Sequence, residues 1–483
     1  MIRYFPIFLI AIIAGCVSPP EREPAPETVN IPGDWKAVSN TNRVVASWWN
    51  SFGSTQVVDV VTKAMTNNYD LQAAMARMDI SAAESRIAGA DLYPQIGADF
   101  DAARSKQNFI GLPIPGAGND PLSTTFNSYG LRLVTTWELD LWGRIRSGQK
   151  AAIADMQASQ ADYFALQQSI AAQTVKAWLV AVELRRQIAL NEKVIESYSG
   201  TVRQVERRYQ RGIANSVDYR LALTDLEGAK ASLSNWRAQY EAAVRQLDFL
   251  LGQYPDGLLD VQFEFPELTL EIPVGLPSEL LERRPDLIAA ERRLAASFAR
   301  VKQAKRSLFP RISLTASGGT SSGDLSELTN PDFSVWTLAA NAAQPIFQGG
   351  RLIAGIDMAK AANRAAVADY GKSLLMAFTE VETALSVDDD LASREEHLAE
   401  AAKQARSSLS RADERYSSGL ESILAVLQAQ RNVFTAESAL INVQRVRLDN
   451  RVDLHLALGG GYPAELNPPI PVQDEPVQVS QFE

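Results

Sequence analysis

Apolar positions recur at helical spacing from about Thr55 to Leu92, where the pattern stops at Leu92-Tyr93-Pro94. Beyond that proline the period changes to two. Ile96, Ala98, Phe100 and Ala102 alternate with Gln95, Gly97, Asp99 and Asp101, and a returning run places Tyr129, Leu131, Leu133, Thr135, Trp137, Leu139 and Leu141 on one face. A proline-free stretch from Gly143 to Gly252 follows, interrupted at Gly212, after which Val217, Leu221, Leu226 and Leu233 resume a helical rhythm. The whole series then repeats. A shift of 216 positions pairs Asp70-Leu71 with Asp286-Leu287, Arg77 with Arg293 and Leu92-x-Pro94 with Leu308-x-Pro310. A shift of 207 pairs Gly143-Arg144 with Gly350-Arg351, Ala161-Asp162-Tyr163 with Ala368-Asp369-Tyr370, Arg208-Tyr209 with Arg415-Tyr416, Gly212 with Gly419, and Leu251-Gly252 with Leu458-Gly459. Matches this far apart in one frame imply an internal duplication, with nine extra residues in a loop of the first copy.

Each copy therefore predicts a helix, a β-hairpin and a long helical hairpin. In the second copy Ile312, Leu314 and Ala316 begin the apolar strand face, and Trp336, Leu338, Ala340 and Ala342 continue it on the return. Gly/Pro-rich loops, Gly111 to Pro121 and Gly318 to Pro331, separate the strands. Gly143 to Arg211 and Gly350 to Ser418 are rich in Ala, Gln, Leu, Glu and Arg, which favours continuous helices of roughly 100 Å at 1.5 Å per residue. Tips fall at Gly212 and Gly419, and apolar positions resume after the second at Leu424, Leu427, Val433 and Leu440. Strands of about ten residues with one apolar face suit a transmembrane β-barrel. Four strands cannot close one, and open edges in lipid leave N–H and C=O groups unpaired at several kcal/mol each, so the chain is expected to oligomerise. Three copies would supply twelve strands.

Composition narrows the chemistry. The 483 residues carry a net charge of −10, which opposes a nucleic-acid partner. Two histidines, His397 and His455, and one cysteine leave no material for a His/Cys metal site, a Cys/His catalytic pair or an internal disulfide. No phosphate loop, zinc motif or nucleophile elbow is present, so neither enzyme nor cofactor is expected. Residues 1–15 read as a secretory signal too short to span a bilayer as a helix. The signal ends in Ile13-Ala14-Gly15-Cys16, which resembles the lipobox of bacterial lipoproteins; that resemblance implies lipidation of Cys16 and, with Val17 in place of an aspartate, sorting to the outer membrane. Several acyl chains at about 0.8 kcal/mol per buried CH₂ make a durable anchor. The predicted layout is a signal at 1–15, a lipidated tether at 16–50, a first repeat at 51–252 with its hairpin at 93–142 and helices at 143–252, and a linker at 253–277. A second repeat follows at 278–459, with its hairpin at 310–348 and helices at 350–459, and then a tail at 460–483.

Trp137-Glu-Leu-Asp-Leu-Trp-Gly-Arg144, the twin Arg-Tyr-x-x-Gly motifs at 208–212 and 415–419, Gln344-Pro-Ile-Phe-Gln-Gly-Gly-Arg351 and Ala457-Leu-Gly-Gly460 together resemble the TolC/OprM-type outer membrane factors, especially their lipoprotein branch. The resemblance covers nearly all of the mature chain. It implies a mainly α protein with a transmembrane β part, trimeric, with a twelve-stranded outer-membrane barrel and an α-helical periplasmic tunnel. It also implies docking of the tips on a periplasmic adaptor and an inner-membrane pump, and export of small toxic compounds. By the same resemblance Arg208, Tyr209, Gly212, Arg415, Tyr416 and Gly419 form the periplasmic tip, and Asp218, Leu424 and Gln428 belong to the gate. The aspartates some members carry six and nine positions after the second tip glycine are Ala425 and Gln428 here, which points to an apolar and amide constriction. A type I secretion channel shares this architecture, and a poreless periplasmic coiled-coil lipoprotein is the alternative of another class.

Overall fold

The computed structural model describes residues 18, 20, 31–32, 35–36, 47–109, 122–267, 275 and 277–460. Cys16, the signal, most of the tether, part of the linker, the loop expected at 111–121 and the tail from 461 lie outside the described residues. Helices α1 (Thr55–Asn67), α2 (Tyr69–Ala90), α3 (Arg144–Gln210), α4 (Ser216–Leu250), α5 (Leu280–Arg283), α6 (Pro285–Arg306), α7 (Arg351–Ser417) and α8 (Ile423–Ala457) accompany strands β1 (Gln95–Phe109), β2 (Leu122–Leu139), β3 (Arg311–Ser322) and β4 (Ser334–Ala343). Both long helices have 67 residues and both return helices have 35, and every end of α7 and α8 lies 207 positions after its mate in α3 and α4. Among the described residues no helix is long and apolar enough to cross a membrane.

Two compact units divide the chain. One comprises Met1–Pro24, Asp79–Gln157 and Glu291–Ala368, and holds the strands. The two expected hairpins are joined there into one antiparallel sheet, β1-β2-β3-β4, because β2 also pairs with β3. The register lines the apolar positions up across all four strands. Ala98 lies opposite Leu133, Leu133 opposite Gly318 and Gly318 opposite Trp336, while Trp137 faces Leu314 and Leu314 faces Ala340. Among the described residues nothing covers that face: Trp336 is 80% and Ile96 72% exposed. On the other face Arg132 reaches Asp101 at 2.8 Å, with the carboxylate leaning over Gly130, where a Cβ would stand 2.6 Å from it. β3 runs on to Ser322, five residues into the segment expected as loop, because the ladder to β2 continues through Tyr129 opposite Ser322.

The repeats also match in their junctions. Trp137 donates its Nε1–H to the Leu92 carbonyl at 2.9 Å, and Gln344, its mate, donates to the carbonyl of Leu308 at 3.0 Å. After β2 the Asp140 carboxylate accepts the backbone N–H groups of Ile145 and Arg146, capping the first turn of α3 where the helix dipole favours an anion.

The second unit comprises Ala25–Met78, Ala158–Ala290 and Asp369–Glu483. Its largest apolar cluster packs Trp48, Val57, Val60 and Val61 on Val175, Trp178 and Leu179 of α3, with Val244 and Leu247 of α4 and Leu448 and Val452 of α8. The indole of Trp178 is fully buried and donates to Gln56 at 2.9 Å. The single helix expected over 55–92 is broken at Asn68, whose backbone is extended (φ −64°, ψ 126°). The break serves two ends at once: Oδ1 accepts the N–H of Asp70 at 2.9 Å, and Nδ2 donates to the last carbonyl of α4, Leu250, at 3.0 Å. Arg284, the mate of Asn68 in the second repeat, donates to Ala457, the mate of Leu250, at 3.1 Å. Gly252 and Gly459 follow these carbonyls at positive φ, and a Cβ on either would stand within 3 Å of the facing backbone at Asn67 or Arg283.

Between its apolar ends the contact of α3 with α8 is polar. Gln187 donates to the Ser438 carbonyl at 3.1 Å, Asn442 and Arg445 both bond Glu183, and Arg445 also pairs with Asp449. Burial pushes the Asp449 carboxyl up to about 6 against the pull of Arg445. His455, stacked on Trp48 at 5.4 Å, is driven the other way, to about 4, by burial and then by Arg451. A depressed imidazole stabilises the fold above its free value and loses that contribution as pH falls through about 4. Acidification from pH 6.5 to 4 is therefore expected to cost on the order of 3 kcal/mol more in the parent than in a His455→Phe variant, read from denaturant midpoints at each pH.

Candidate functional site

The two helical turns after α3 and α7 are built alike. Gly212 and Gly419 both sit at φ +74°, a left-handed cap that glycine adopts freely, and each donates its N–H to the tyrosine carbonyl three residues earlier at 2.9 and 3.0 Å. Ile213 and Leu420 then bond back to Arg208 and Arg415, each at 2.9 Å. Asn215 caps α4 by accepting the N–H of Asp218 at 2.8 Å, which places the Asp218 carboxylate in the first turn, at the positive end of the helix dipole.

The twin Arg-Tyr pairs have the same backbone and different partners. Arg208 crosses to the second hairpin, donating to the carbonyls of Tyr416 and Ser417 at 2.9 and 3.1 Å, with its guanidinium 4.3 Å from the centre of the Tyr416 ring. A cation set on the last carbonyls of α7 is favoured by both hydrogen bonding and the helix dipole. Arg415 instead pairs with Glu421 at 3.5 Å within its own turn. Tyr416 is buried with Val205, Ile423, Val426 and Leu427, whereas Tyr209 is exposed and stacks on Tyr219 at 5.9 Å. The Tyr198 hydroxyl, at the edge of this cluster, is pushed above its usual value by burial and then by Asp225.

α8 has two distinct faces at its start. Ile423, Val426, Leu427 and Gln430 turn inward, and the buried amide of Gln430 donates to Ser197 and Thr201 of α3, both at 2.8 Å. Leu424 and Gln428, one turn apart, share the opposite face; Leu424 is 52% exposed, and Gln428 donates along the helix to Asn432 at 2.9 Å. The structure thus brings Leu424 and Gln428 together and puts Asp218 on the other hairpin. Sequence reasoning missed Gln430, because a lone glutamine on an Ala/Leu/Gln helix carries no signal until its partners on α3 are known. Of the apolar rhythm read after Gly212, Val217 and Leu221 lie exposed, as does Ile213 in the turn before them, whereas Leu226 is buried.

The chain as a whole is similar to known proteins. A family model described as outer membrane efflux protein matches residues 60–253 and 276–460. The outer membrane protein OprJ of Pseudomonas aeruginosa is 34% identical over 422 residues, 86% of each chain. The toluene efflux pump outer membrane protein TtgI of Pseudomonas putida is 30% identical over 481 residues, 96% of this chain and 99% of its own. The crystal structure of the Campylobacter jejuni CmeC outer membrane channel aligns with a TM-score of 0.84 at 26% identity, covering 92% of this chain and 95% of that one. Twin hairpins, one uncovered sheet and a matched family model over both repeats have one reading: the chain belongs to the outer membrane efflux protein family and is an outer-membrane efflux channel.

Proposed function

We propose that three copies of this chain form a passive conduit closed at the hairpin ends by Leu424 and Gln428 and anchored in the outer membrane through lipid on Cys16. The conduit serves a tripartite pump: an adaptor in the periplasm engages the tips, and an inner-membrane pump supplies energy and chooses the cargo, small toxic compounds. The observation that carries the gate assignment is the division of α8 into a packed face and an open face. A leucine half exposed within one chain, beside a helix tip, gains by meeting its copies around a narrow axis, where apolar side chains exclude ions and water. Gln428, a turn further in, adds a ring of amides that a cargo can replace with its own hydrogen bonds. Relatives named for pyoverdine export, solvent efflux and toluene efflux support a conduit for small molecules over a protein-secretion channel.

Arg208, Tyr209, Gly212, Arg415, Tyr416 and Gly419 form the tip in this reading. Arg208 fastens the first hairpin to the second, while Arg415 stays on its own turn, so the two halves differ in how tightly their tips are held. The repeats at 51–252 and 278–459 supply equal shares of wall, and the mature chain begins at Cys16.

Three outcomes test the proposal. Leu424→Ser is expected to raise the conductance of the resting channel in single-channel recording, and an unchanged trace would discard Leu424 as a closing residue. Arg208→Ala removes two charge-assisted bonds and the ring contact, a loss of about 1–2 kcal/mol at a partly exposed site; trypsin should cut the tip several-fold faster, with Arg208→Lys restoring only part of the protection. Cys16→Ser should abolish labelling by a radioactive fatty acid, and retained label would place the anchor elsewhere.

A further inference from the structure

The second unit holds a cavity of about 540 Å³ where the end of α8 meets the start of α6, between α3 and α7. That lies within the roughly 300–1,000 Å³ of pockets that enclose small organic ligands. Ala165 of α3, Ala384 of α7 and Leu456 of α8 give it apolar walls, and Asp286, Glu380 and Asp453 add three carboxylates.

Those charges do not balance. Arg284, 7% exposed, sets Nε and Nη2 on the two oxygens of Asp286 at 3.0 and 2.7 Å, and Nη1 on Glu380 at 2.6 Å. One guanidinium thus answers two carboxylates, while Asp453 is matched by Lys176. Glu380 accepts through Oε2, and among the described residues its Oε1 has no hydrogen-bond partner. One negative charge is left over beside apolar walls. The joint of the helices does not need it. In the first repeat the neutral Asn68 holds the last carbonyl of α4 as Arg284 holds that of Ala457, and Gln173 and Gln246 stand at the places of Glu380 and Asp453.

In the conduit reading the cavity faces the bore. The N-terminal segment lies along the other side of these helices: Trp35 meets Phe378 edge-on at 6.2 Å, the Lys36 N–H donates to Glu382 at 3.0 Å, and Trp48 stacks on His455. A segment that leads back to a lipid in the membrane runs outside a hollow cylinder. Glu380 and Ala384 come two positions after Phe378 and Glu382, and Ala457 two after His455, so each is turned away from that segment by roughly 200° of helix.

We infer that this cavity is a resting site for organic cations in transit, compounds that carry one positive charge on an apolar body. The positive centre sits against Glu380 and the body against Ala165, Ala384 and Leu456. A neutral solute gains only the walls, and an anion meets the surplus carboxylate, so the site sorts cargo of equal size by the sign of its charge.

The inference rests on the conduit reading, and the experiment separates the two. Purified channel in nanodiscs is dialysed against tetraphenylphosphonium and, separately, tetraphenylborate, ions of nearly equal size and opposite charge, with uptake by empty nanodiscs subtracted. Each preparation is also recorded in a bilayer, which shows that it is folded. Tetraphenylphosphonium is expected to bind once per chain, at least ten-fold more tightly than tetraphenylborate. Glu380→Gln, which copies the residue of the first repeat and leaves Arg284 paired with Asp286, should weaken that binding at least ten-fold. Glu396→Gln, the same loss of charge about 24 Å along α7, should leave it unaltered. Equal binding of the two ions, or equal loss in the two variants, would overturn the site, and ordinary conductance beside that result would leave the conduit standing. Binding that depends on Glu380 in a protein that conducts nothing would overturn the transit role and the conduit together.

Discussion

Backbone hydrogen bonding in lipid is the constraint from which the rest of this structure follows. β1 and β4 are both edge strands, fifteen and ten residues long, and each unpaired N–H or C=O left in hydrocarbon would cost several kcal/mol. No side chain can remove that cost along a whole strand. Another strand can. The sheet's apolar face adds a second demand of the same sign, since Ile96, Phe100, Leu133, Trp336 and Leu338 are all open in the single chain and gain only when lipid replaces water around them. Oligomerisation and membrane insertion are thus one event seen from two sides of the same sheet.

Much of this was legible in the residues. The duplication could be read because glycines, tyrosines and prolines mark fixed places in both halves, and the ends of α7 and α8 repeat those of α3 and α4 without a gap. The strands could be read because their alternation is strict, from Ile96 to Ala102 and from Tyr129 to Leu141. What stayed hidden depends on partners far away in sequence. The break at Asn68 interrupts an apolar rhythm that does not falter; it exists because the side chain serves both α2 and the end of α4, 182 positions on. Arg284 does the same for α8 with unrelated chemistry, so comparison of the two residues alone gives no hint that they share a task. The pairing of β2 with β3 was equally silent, since either hairpin alone satisfies the pattern. In the candidate site, the motif marks the two turns at Gly212 and Gly419, but only the structure shows that Arg208 crosses between hairpins while Arg415 stays on its own turn.

That difference bears on how a duplicated chain acquires direction. Two identical repeats would close a ring of equal joints, and any opening would involve all of them alike. Here the joint of α3 with α6 carries charged and amide groups, among them Arg300 on Asp155, Arg306 on the Gly143 carbonyl and Gln303 beside Gly148. Polar joints are directional and hold one register.

The same logic applies along α3 and α8. Their contact is apolar at both ends, around Val175 with Val452 and around Val205 with Ile423, and polar between, where Gln187, Glu183, Asn442 and Arg445 meet. Two apolar stripes alone would let one long helix ride along the other by a turn, because ridges repeat every three or four residues. Hydrogen bonds from Gln430 to Ser197 and Thr201, and from Gln187 to the Ser438 carbonyl, are met in one register only. The polar middle therefore fixes the height at which Leu424 and Gln428 stand relative to Gly212 and its neighbours, which the proposed closing ring would require.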